Sequence, residues 1–238
     1  MTGEQLEFKV IQVPGGERQL LFINGFGGNF EQPGVEWYMN RIREHDYDAT
    51  YVQLPTRVDD YMEDVIKPCM EVEKGLDEHV AVGFSFGGLT LTYMFGARRR
   101  IFVSPFLGVN EKWLAKGHKT VVRLLSLISR PILKRQFEKE DAGPLAVNDD
   151  MKGLPEFVSF RTIDQLFRMQ DSVPEPRQDD VVFYSPEDKV VSVARIEDRI
   201  YENELRSHTY RGGHMFYLTR DRKEMVSSLL GEIGDGFS

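Results

Sequence analysis

The sequence predicts an α/β fold, in which helices cover both faces of a mostly parallel β-sheet. The first observation is a series of short apolar segments rich in β-branched residues, most of them not interrupted by polar residues. Uninterrupted segments are typical of strands that are buried on both faces. These segments are Phe8–Val13, Leu20–Ile23, Thr50–Leu54, Val80–Phe84, Ile101–Val103, Val181–Tyr184 and Ser207–Tyr210.

The second observation is that helix-like stretches separate the later segments. Strands that alternate with helices of about 10–15 residues predict crossover connections, which make neighbouring strands parallel. Pro68 lies within one such stretch and should kink or split its helix, because proline removes a backbone hydrogen bond. The predicted helices are Glu36–Glu44, Val58–Lys74, Phe86–Ala97, Val193–Glu204 and Arg222–Leu230.

The first apolar segment differs from the others. Lys9 and Gln12 interrupt it, and the turn residues Pro14-Gly15-Gly16 follow it. A polar strand followed by a turn indicates a position at the edge of the sheet, in a hairpin with Leu20–Ile23.

One long interval breaks the alternation of strands and helices. Between Phe106 and Asp180 no stretch reads as a strand, whereas Thr120–Phe137 and Pro155–Gln170 have helical spacing. We therefore predict a core made of residues 1–105 and 181–238, with residues 106–180 inserted as a helical cap over the carboxyl edge of the sheet.

Composition restricts the class of protein. The 238 residues are 41% hydrophobic and 29% charged, which is ordinary for a globular domain and argues against disorder. The net charge of −8 at pH 7 argues against general nucleic-acid binding. Cys69 is the single cysteine, which excludes an internal disulfide and a multi-cysteine metal site, and we expect it to be a buried structural thiol.

The first ten residues include Glu4 and Glu7 and contain no apolar stretch, which argues against a secretory signal. No run approaches the roughly 18 apolar residues needed to span a bilayer. The expected protein therefore has no transmembrane segment and is cytoplasmic.

The strongest chemical motif is G-x-S-x-G, formed by Gly83–Gly88 (GFSFGG) between a predicted strand and a predicted helix. In that context the motif indicates a nucleophile elbow, in which a tight turn presents Ser85 at the end of the strand. Glycines on either side let strand and helix approach closely. The alternative is a glycine-rich turn that contains a serine without a chemical role.

A second glycine-rich loop, Asn24–Gly28 (NGFGG), follows an earlier strand. Acyl-transfer sites use one backbone N–H directly after the nucleophile and another from a loop after a neighbouring strand. The candidates for these oxyanion donors are the N–H groups of Phe86 and Phe26. The alternative is a phosphate-binding loop, but the spacing does not fit G-x-G-x-x-G and no Walker lysine is present.

A general base is predicted at His214, which follows the last predicted strand and two glycines. A histidine in that loop can reach across the top of the sheet to Ser85. The alternative is a histidine that caps a helix or lies on the surface. The other histidines lie at a helix end, in strands or in the predicted cap, and are His45, His79, His118 and His208.

An acid is needed to orient the imidazole and stabilise its protonated form. Asp188 lies in a loop after the strand Val181–Tyr184 and is the preferred candidate. Glu187 is the rival, since a loop can shift by one residue, and a solvated turn acid is the further alternative.

The order Ser85, Asp188, His214 resembles that of the α/β-hydrolase superfamily, and the resemblance extends over almost the whole chain. It implies a helical cap inserted after the sixth strand of such a sheet. The sequence has Asn24 where many members have histidine. A serine nucleophile argues against the epoxide-hydrolase and dehalogenase branches, which use aspartate.

The resemblance implies a serine hydrolase, similar to small carboxylesterases, that cleaves carboxylic esters with an apolar acyl group through a Ser-His-Asp triad and an acyl-enzyme. A thioesterase acting on acyl-CoA or carrier-bound acyl thioesters is the alternative, since Gly-Gly-His214-Met-Phe resembles such enzymes. A non-catalytic binding protein of the same fold is the third interpretation. The expected partner is a small ester or thioester, with no cofactor, metal ion or nucleic acid.

The first part of the predicted cap, residues 106–139, carries eight Lys or Arg residues against Glu111 and Glu138, a net charge of +6. Leucines and isoleucines lie among these charges. The preferred interpretation is that the apolar side chains line an acyl pocket or pack on the core while the charges face water. The alternative is contact with anionic lipid or with the phosphates of an acyl carrier.

Overall fold

The computed structural model describes residues 6–108, 122, 125–126, 132–134, 139–151 and 157–237. The strands are β1 (Lys9–Val13), β2 (Arg18–Ile23), β3 (Tyr47–Gln53), β4 (His79–Phe84), β5 (Arg99–Val103), β6 (Ile132–Lys134), β7 (Phe157–Ser159), β8 (Val181–Tyr184) and β9 (Arg206–Thr209). The α-helices are α1 (Pro33–Arg43), α2 (Lys67–Lys74), α3 (Phe86–Leu91), α4 (Lys139–Ala142), α5 (Phe160–Asp171), α6 (Val193–Glu202) and α7 (Arg222–Asp235).

The main sheet contains seven strands in the described part of the chain, in the order β1-β3-β2-β4-β5-β8-β9. β1 runs antiparallel to β3, and the remaining pairs are parallel. The prediction of a mostly parallel sheet with helices is therefore confirmed.

The predicted hairpin between the first two strands is wrong. β1 does lie at the edge, but it pairs with β3, with Lys9 opposite Gln53 and Val13 opposite Ala49. β2 pairs with β3 on one side and with β4 on the other, so neither of its edges is free for β1.

Alternate residues of the inner strands enter two separate cores. Leu20 and Phe22 of β2 belong to the core on one face of the sheet, and Leu21 and Ile23 belong to the core on the other. All four side chains are fully buried. Because successive residues of a strand point to opposite faces, an uninterrupted apolar strand is what a sheet covered on both sides requires.

The helix predicted over 58–74 is divided, as Pro68 suggested. A π-helical turn spans Met62–Ile66, and α2 follows it with Pro68 in its first turn. The helix after the elbow is shorter than predicted: α3 ends at Leu91, and the hydroxyl of Thr92 donates to the carbonyl of Leu89 at 2.6 Å. A side chain that bonds the preceding turn in this way competes with helix continuation.

The prediction of a strand-free insertion is wrong. β6 and β7 pair antiparallel in a second sheet, with Leu133 opposite Val158. The helical spacing of Pro155–Gln170 is correct from Phe160 onward, where α5 begins with Ser159 as its N-cap. Phe157 and Val158 precede the N-cap residue and have high strand propensity. The helical spacing of the whole stretch hid this strand preference of its first residues.

The insertion follows β5 of the seven-stranded sheet among the described residues. Its place after the sixth strand in the family's own count stays a prediction. Within the predicted helix 120–137, the structure describes only residues 122, 125, 126 and β6, and β6 is a strand, not a helix. His118 and most of the basic stretch also lie outside the described residues. That the whole interval 106–180 forms a cap stays a prediction.

No helix within the described ranges is long and apolar enough to cross a membrane.

Candidate active site

Ser85 lies in the sharp turn between β4 and α3. Its backbone has φ +53° and ψ −115°, a left-handed conformation that is unfavourable for a residue with a side chain. The surrounding backbone holds it there, because Ser85 N–H donates to the carbonyl of Val103 at 2.9 Å and the Ser85 carbonyl accepts from Leu89 and Phe106. The turn therefore fixes the position of the hydroxyl, as a nucleophile elbow requires.

The elbow glycines are required by close backbone packing. A Cβ atom added to Gly83 would lie 2.6 Å from the carbonyl oxygen of Gly87. A Cβ added to Gly87 would lie 2.1 Å from the carbonyl oxygen of Ile23, at the end of β2. A side chain at Gly83 would push β4 and α3 apart, and one at Gly87 would push the elbow away from β2.

The structure brings Ser85, His214 and Asp188 together. Oγ of Ser85 lies 2.7 Å from Nε2 of His214, and Nδ1 of the same imidazole lies 2.7 Å from Oδ2 of Asp188. Since a carboxylate only accepts, Nδ1 carries the proton and Nε2 is left to accept from the serine hydroxyl. All three residues are buried.

The carboxylate of Asp188 is held by backbone amides as well as by the imidazole. Its Oδ1 accepts from the N–H groups of Val190 at 2.8 Å and Val191 at 3.2 Å. Burial alone raises the pKa of Asp188, but the charge and hydrogen bond of His214 and these amides together lower that pKa below its usual value. Glu187, the rival acid, is exposed.

Ser104 and Tyr210 support the base loop, and sequence reasoning missed both. The two hydroxyl oxygens lie 2.7 Å apart, and the Tyr210 hydroxyl donates to the carbonyl of His214 at 3.4 Å. Burial, followed by the nearby charge of Asp188, raises the pKa of Tyr210, which keeps its hydroxyl protonated as a donor. Their positions at the ends of β5 and beyond β9 carry no local signal, since only the strand order makes them neighbours.

The loop Asn24–Gly28 lies directly beside the elbow. A Cβ added to Gly25 would lie 3.0 Å from the Cβ of Ser85, and the rings of Phe26 and Phe86 meet edge to face at 6.1 Å. The N–H of Phe86 is at the start of α3, where helical amides have no partner within the helix. The N–H of Phe26 has no hydrogen-bond acceptor among the residues that the structure describes. That these two N–H groups are the oxyanion donors stays a prediction.

Asn24 holds this loop in place through hydrogen bonds of its side chain and backbone. Its side chain is fully buried, its Oδ1 accepts from the N–H of Gly25 at 2.8 Å, and its Nδ2 donates to the hydroxyl of Tyr51. Asn24 N–H also donates to the carbonyl of Val52. The asparagine therefore ties the loop to β3 by hydrogen bonds, and sequence reasoning did not identify Tyr51 as its partner.

The other described histidines have different partners. His79 Nδ1 bonds the carbonyl of Asp77, His208 Nε2 lies 2.8 Å from Glu232, and His45 is exposed. Cys69 is buried, as predicted, and burial raises the pKa of its thiol. Among the described residues no group of three or more His, Cys, Asp or Glu side chains is arranged to hold a metal ion.

No protein-family model matches the chain, and no curated protein matches its sequence. Solved structures do match over almost the full length. A monoacylglycerol lipase from Paleococcus ferrophilus has a TM-score of 0.80 at 12% identity, over 97% of this chain and 100% of that one. A soluble variant of monoglyceride lipase from Saccharomyces cerevisiae has a TM-score of 0.77 at 14% identity, over 96% and 91%.

An esterase from Exiguobacterium antarcticum also matches, with a TM-score of 0.61 at 16% identity over 98% of this chain and 99% of that one. Likeness at such low identity establishes the architecture alone. The chain has the α/β-hydrolase fold, which confirms the fold that the motif order implied.

Proposed function

We propose that the chain is a serine hydrolase that cleaves carboxylic esters with an apolar acyl group. The observation that carries this proposal is the unbroken contact from Ser85 Oγ through the imidazole of His214 to Asp188, with 2.7 Å at each step. A hydroxyl is a weak nucleophile until a neighbouring base accepts its proton, and this geometry supplies that base and the acid that orients it.

In the first half of the reaction, Ser85 Oγ attacks the ester carbonyl carbon while His214 Nε2 takes the hydroxyl proton. Asp188 stabilises the resulting imidazolium. The carbon–oxygen bond of the ester then breaks, and the imidazolium returns its proton to the departing alcohol. The product of this half is an acyl group on Ser85.

In the second half, water attacks the acyl carbon and His214 accepts the proton of that water. The bond to Ser85 Oγ breaks, the serine recovers its proton from the imidazolium, and the carboxylic acid leaves. In both halves the N–H groups of Phe26 and Phe86 stabilise the developing oxyanion.

The surroundings of Ser85 support an apolar acyl group. Phe26, Phe86, Phe106 and Leu107 belong to the apolar cluster on this side of the sheet. The N–H of Phe106 donates to the Ser85 carbonyl, so the apolar segment Phe106–Leu107 begins directly beside the nucleophile. Two of the matching solved structures are lipases whose names specify monoacylglycerol or monoglyceride substrates, which favours an ester over other acyl compounds.

The test is labelling with a fluorophosphonate probe, which reacts with an activated serine. We expect labelling of the wild type, labelling of the control Ser172→Ala, whose serine is exposed, and none of Ser85→Ala. An unlabelled wild type would contradict the proposal and favour a non-catalytic binding protein. Labelling that survives in Ser85→Ala would place the reactive serine elsewhere.

Substrate preference is a second measurement, made on wild-type protein that has not been treated with the probe. Turnover of p-nitrophenyl esters is compared with turnover of acyl-CoA of matched chain length. The proposal expects the ester to be the better substrate by kcat/KM. A preference for the thioester would leave the mechanism in place and make the protein a thioesterase.

A further inference from the structure

The loop that carries His214 is bonded to a segment from the inserted interval. His214 N–H donates to the carbonyl of Asp141 and Met215 N–H to the carbonyl of Ala142, each at 2.9 Å. In the opposite direction, Leu145 N–H donates to the carbonyl of Leu218 at 3.0 Å. We call residues 139–151 the brace. Its backbone bonds the loop at His214 itself and at two residues that follow it, Met215 and Leu218.

The brace and the loop approach so closely at two glycines, Gly213 and Gly143, that neither position has room for a side chain. A Cβ added to Gly213 would lie 2.6 Å from the carbonyl oxygen of Asp141 and 2.8 Å from the carbonyl carbon of Ala142. On the brace, Gly143 has φ +152°, and a Cβ there would lie 2.8 Å from the carbonyl oxygen of Leu218. The glycine before the histidine therefore has a structural purpose, which is to let the loop lie against the brace.

The far end of the brace is anchored by a buried carboxylate. Asp150 is 2% exposed, its Oδ1 accepts from the N–H of Gly34 at 2.8 Å, and its Oδ2 accepts from the N–H of Val147 at 2.9 Å. Gly34 is in the first turn of α1, where a negative charge is favoured by unpaired amides and by the helix dipole. One side chain thus joins the brace to the core.

We infer that Asp150 is a positioning residue for the reaction: it anchors the brace, and the brace holds His214 in line with Ser85. The inference rests on the proposed function and extends it, because it gives part of the inserted interval a role in placing the general base.

The expected effect is on turnover more than on substrate binding. A misplacement of about 1 Å at a catalytic group can cost on the order of 100-fold in rate. Asp150→Asn keeps the shape of the side chain but turns an amide N–H₂ toward one of the two backbone donors. We expect kcat to fall about 10- to 100-fold while KM stays within about twofold.

Asp64→Asn is the matched control. The carboxylate of Asp64 also accepts from two backbone amides, those of Asp59 and Asp60, but at the start of the π-helical turn and not against the histidine loop. We expect this variant to retain the kcat of the wild type. Equal loss of kcat in both variants, or no loss in Asp150→Asn, would overturn the inference.

Two measurements need no substrate. In the NMR spectrum the proton shared by His214 Nδ1 and Asp188 should give a far-downfield resonance, which Asp150→Asn should broaden or remove and Asp64→Asn should leave unchanged. In the wild type, the amides of Leu145, His214 and Met215 should exchange slowly and at similar rates, because one opening exposes them together.

These readouts separate the two hypotheses. If the wild type is not labelled by fluorophosphonate, the proposed function fails, while the resonance and the exchange rates still judge the role of Asp150. If the wild type is active but Asp150→Asn keeps both kcat and the resonance, only the positioning role fails. If Asp150→Asn does not fold, free exchange of the His214 amide in the wild type would overturn the inference, and slow exchange would support it.

Discussion

Asp188 holds the imidazole of His214 through a carboxylate whose two oxygens are both hydrogen-bonded. The imidazole Nδ1 lies 2.7 Å from one oxygen of Asp188, and the other oxygen accepts from the backbone amides of Val190 and Val191. The carboxylate therefore cannot rotate away without breaking bonds to its own loop. This arrangement fixes both the direction of the imidazole and the nitrogen that carries its proton.

The first prediction concerns the tautomer. In Asp188→Asn the amide N–H₂ can donate to Nδ1, which would place the imidazole proton on Nε2, where it faces Ser85. We expect kcat for ester hydrolysis to fall by about 10⁴-fold with KM little changed, measured by steady-state kinetics with a p-nitrophenyl ester.

Glu187→Gln is the control for that measurement, because Glu187 is the neighbouring acid and is exposed. It should keep the wild-type rate. If Glu187→Gln were the damaging change and Asp188→Asn the mild one, the acid would have been assigned to the wrong residue.

The second prediction concerns the space between the oxyanion loop and the nucleophile. A Cβ at Gly25 would lie 3.0 Å from the Cβ of Ser85 and 3.2 Å from the ring of Phe84, so one of these groups has to move by a few tenths of an ångström. We expect Gly25→Ala to lower kcat about tenfold, because a shift at residue 25 also displaces the N–H of the next residue, Phe26, which is the proposed oxyanion donor.

Gly231→Ala provides the same substitution without the contact. Gly231 is in α7, and an added Cβ meets no described atom within 4 Å. That variant should keep its activity and gain about 0.5–1 kcal/mol in the free energy of unfolding, because alanine favours the helix. Equal activity of the two variants would show that the loop tolerates displacement and does not supply a precise donor.

The third prediction concerns acid stability. The folded state lowers the pKa of Asp188, so its ionised form stabilises the fold at pH values above the ordinary aspartate pKa of about 3.9. This contribution is lost as the pH falls through the lowered pKa of the folded state. The difference in free energy of unfolding between wild type and Asp188→Asn should therefore be constant near neutrality and shrink toward low pH.

Urea titrations of both proteins at a series of pH values measure that difference, with Glu187→Gln run alongside and expected to follow the wild type. A difference that grew as the pH fell would mean that folding stabilises the protonated carboxyl and raises the pKa of Asp188 instead of lowering it.

The fourth prediction concerns the buried ion pair Arg100–Asp180, which joins β5 to the residue before β8. Arg100 is 1% exposed and Asp180 is 0% exposed, and their side chains meet through Nε at 2.9 Å and Nη2 at 2.5 Å. Removing one partner leaves an uncompensated buried charge. Asp180→Asn should therefore lower the free energy of unfolding by about 3–5 kcal/mol.

The comparison variant is Glu44→Gln, which breaks the exposed pair Arg41–Glu44 at 2.7 Å. Its effect should stay within about 0.5 kcal/mol, because water and salt screen such pairs. Thermal or urea unfolding measures the free energy of unfolding of the two variants. Similar losses in both would mean that the buried pair contributes no more to stability than the exposed pair.

Local features of the sequence determined much of this protein. Uninterrupted apolar segments and helical spacing specified a parallel sheet covered on both faces, because those periods follow from the geometry of single elements. The elbow at Ser85 was also readable from its motif, since the atoms that require glycine at position 83 belong to Gly87 and Gly88, only a few residues away. The candidate acid and base were identified by their loops, although the sequence left Glu187 open beside Asp188.

The tertiary structure alone decided which distant groups meet. The pairing of β1 with β3, the support of Asn24 by Tyr51 and the contact between Ser104 and Tyr210 depend on the order of strands in the sheet. The brace against His214 depends on where the insertion returns to the core. These contacts join residues far apart in the chain, and periodicity and turn chemistry act over a few residues, so no local pattern records them.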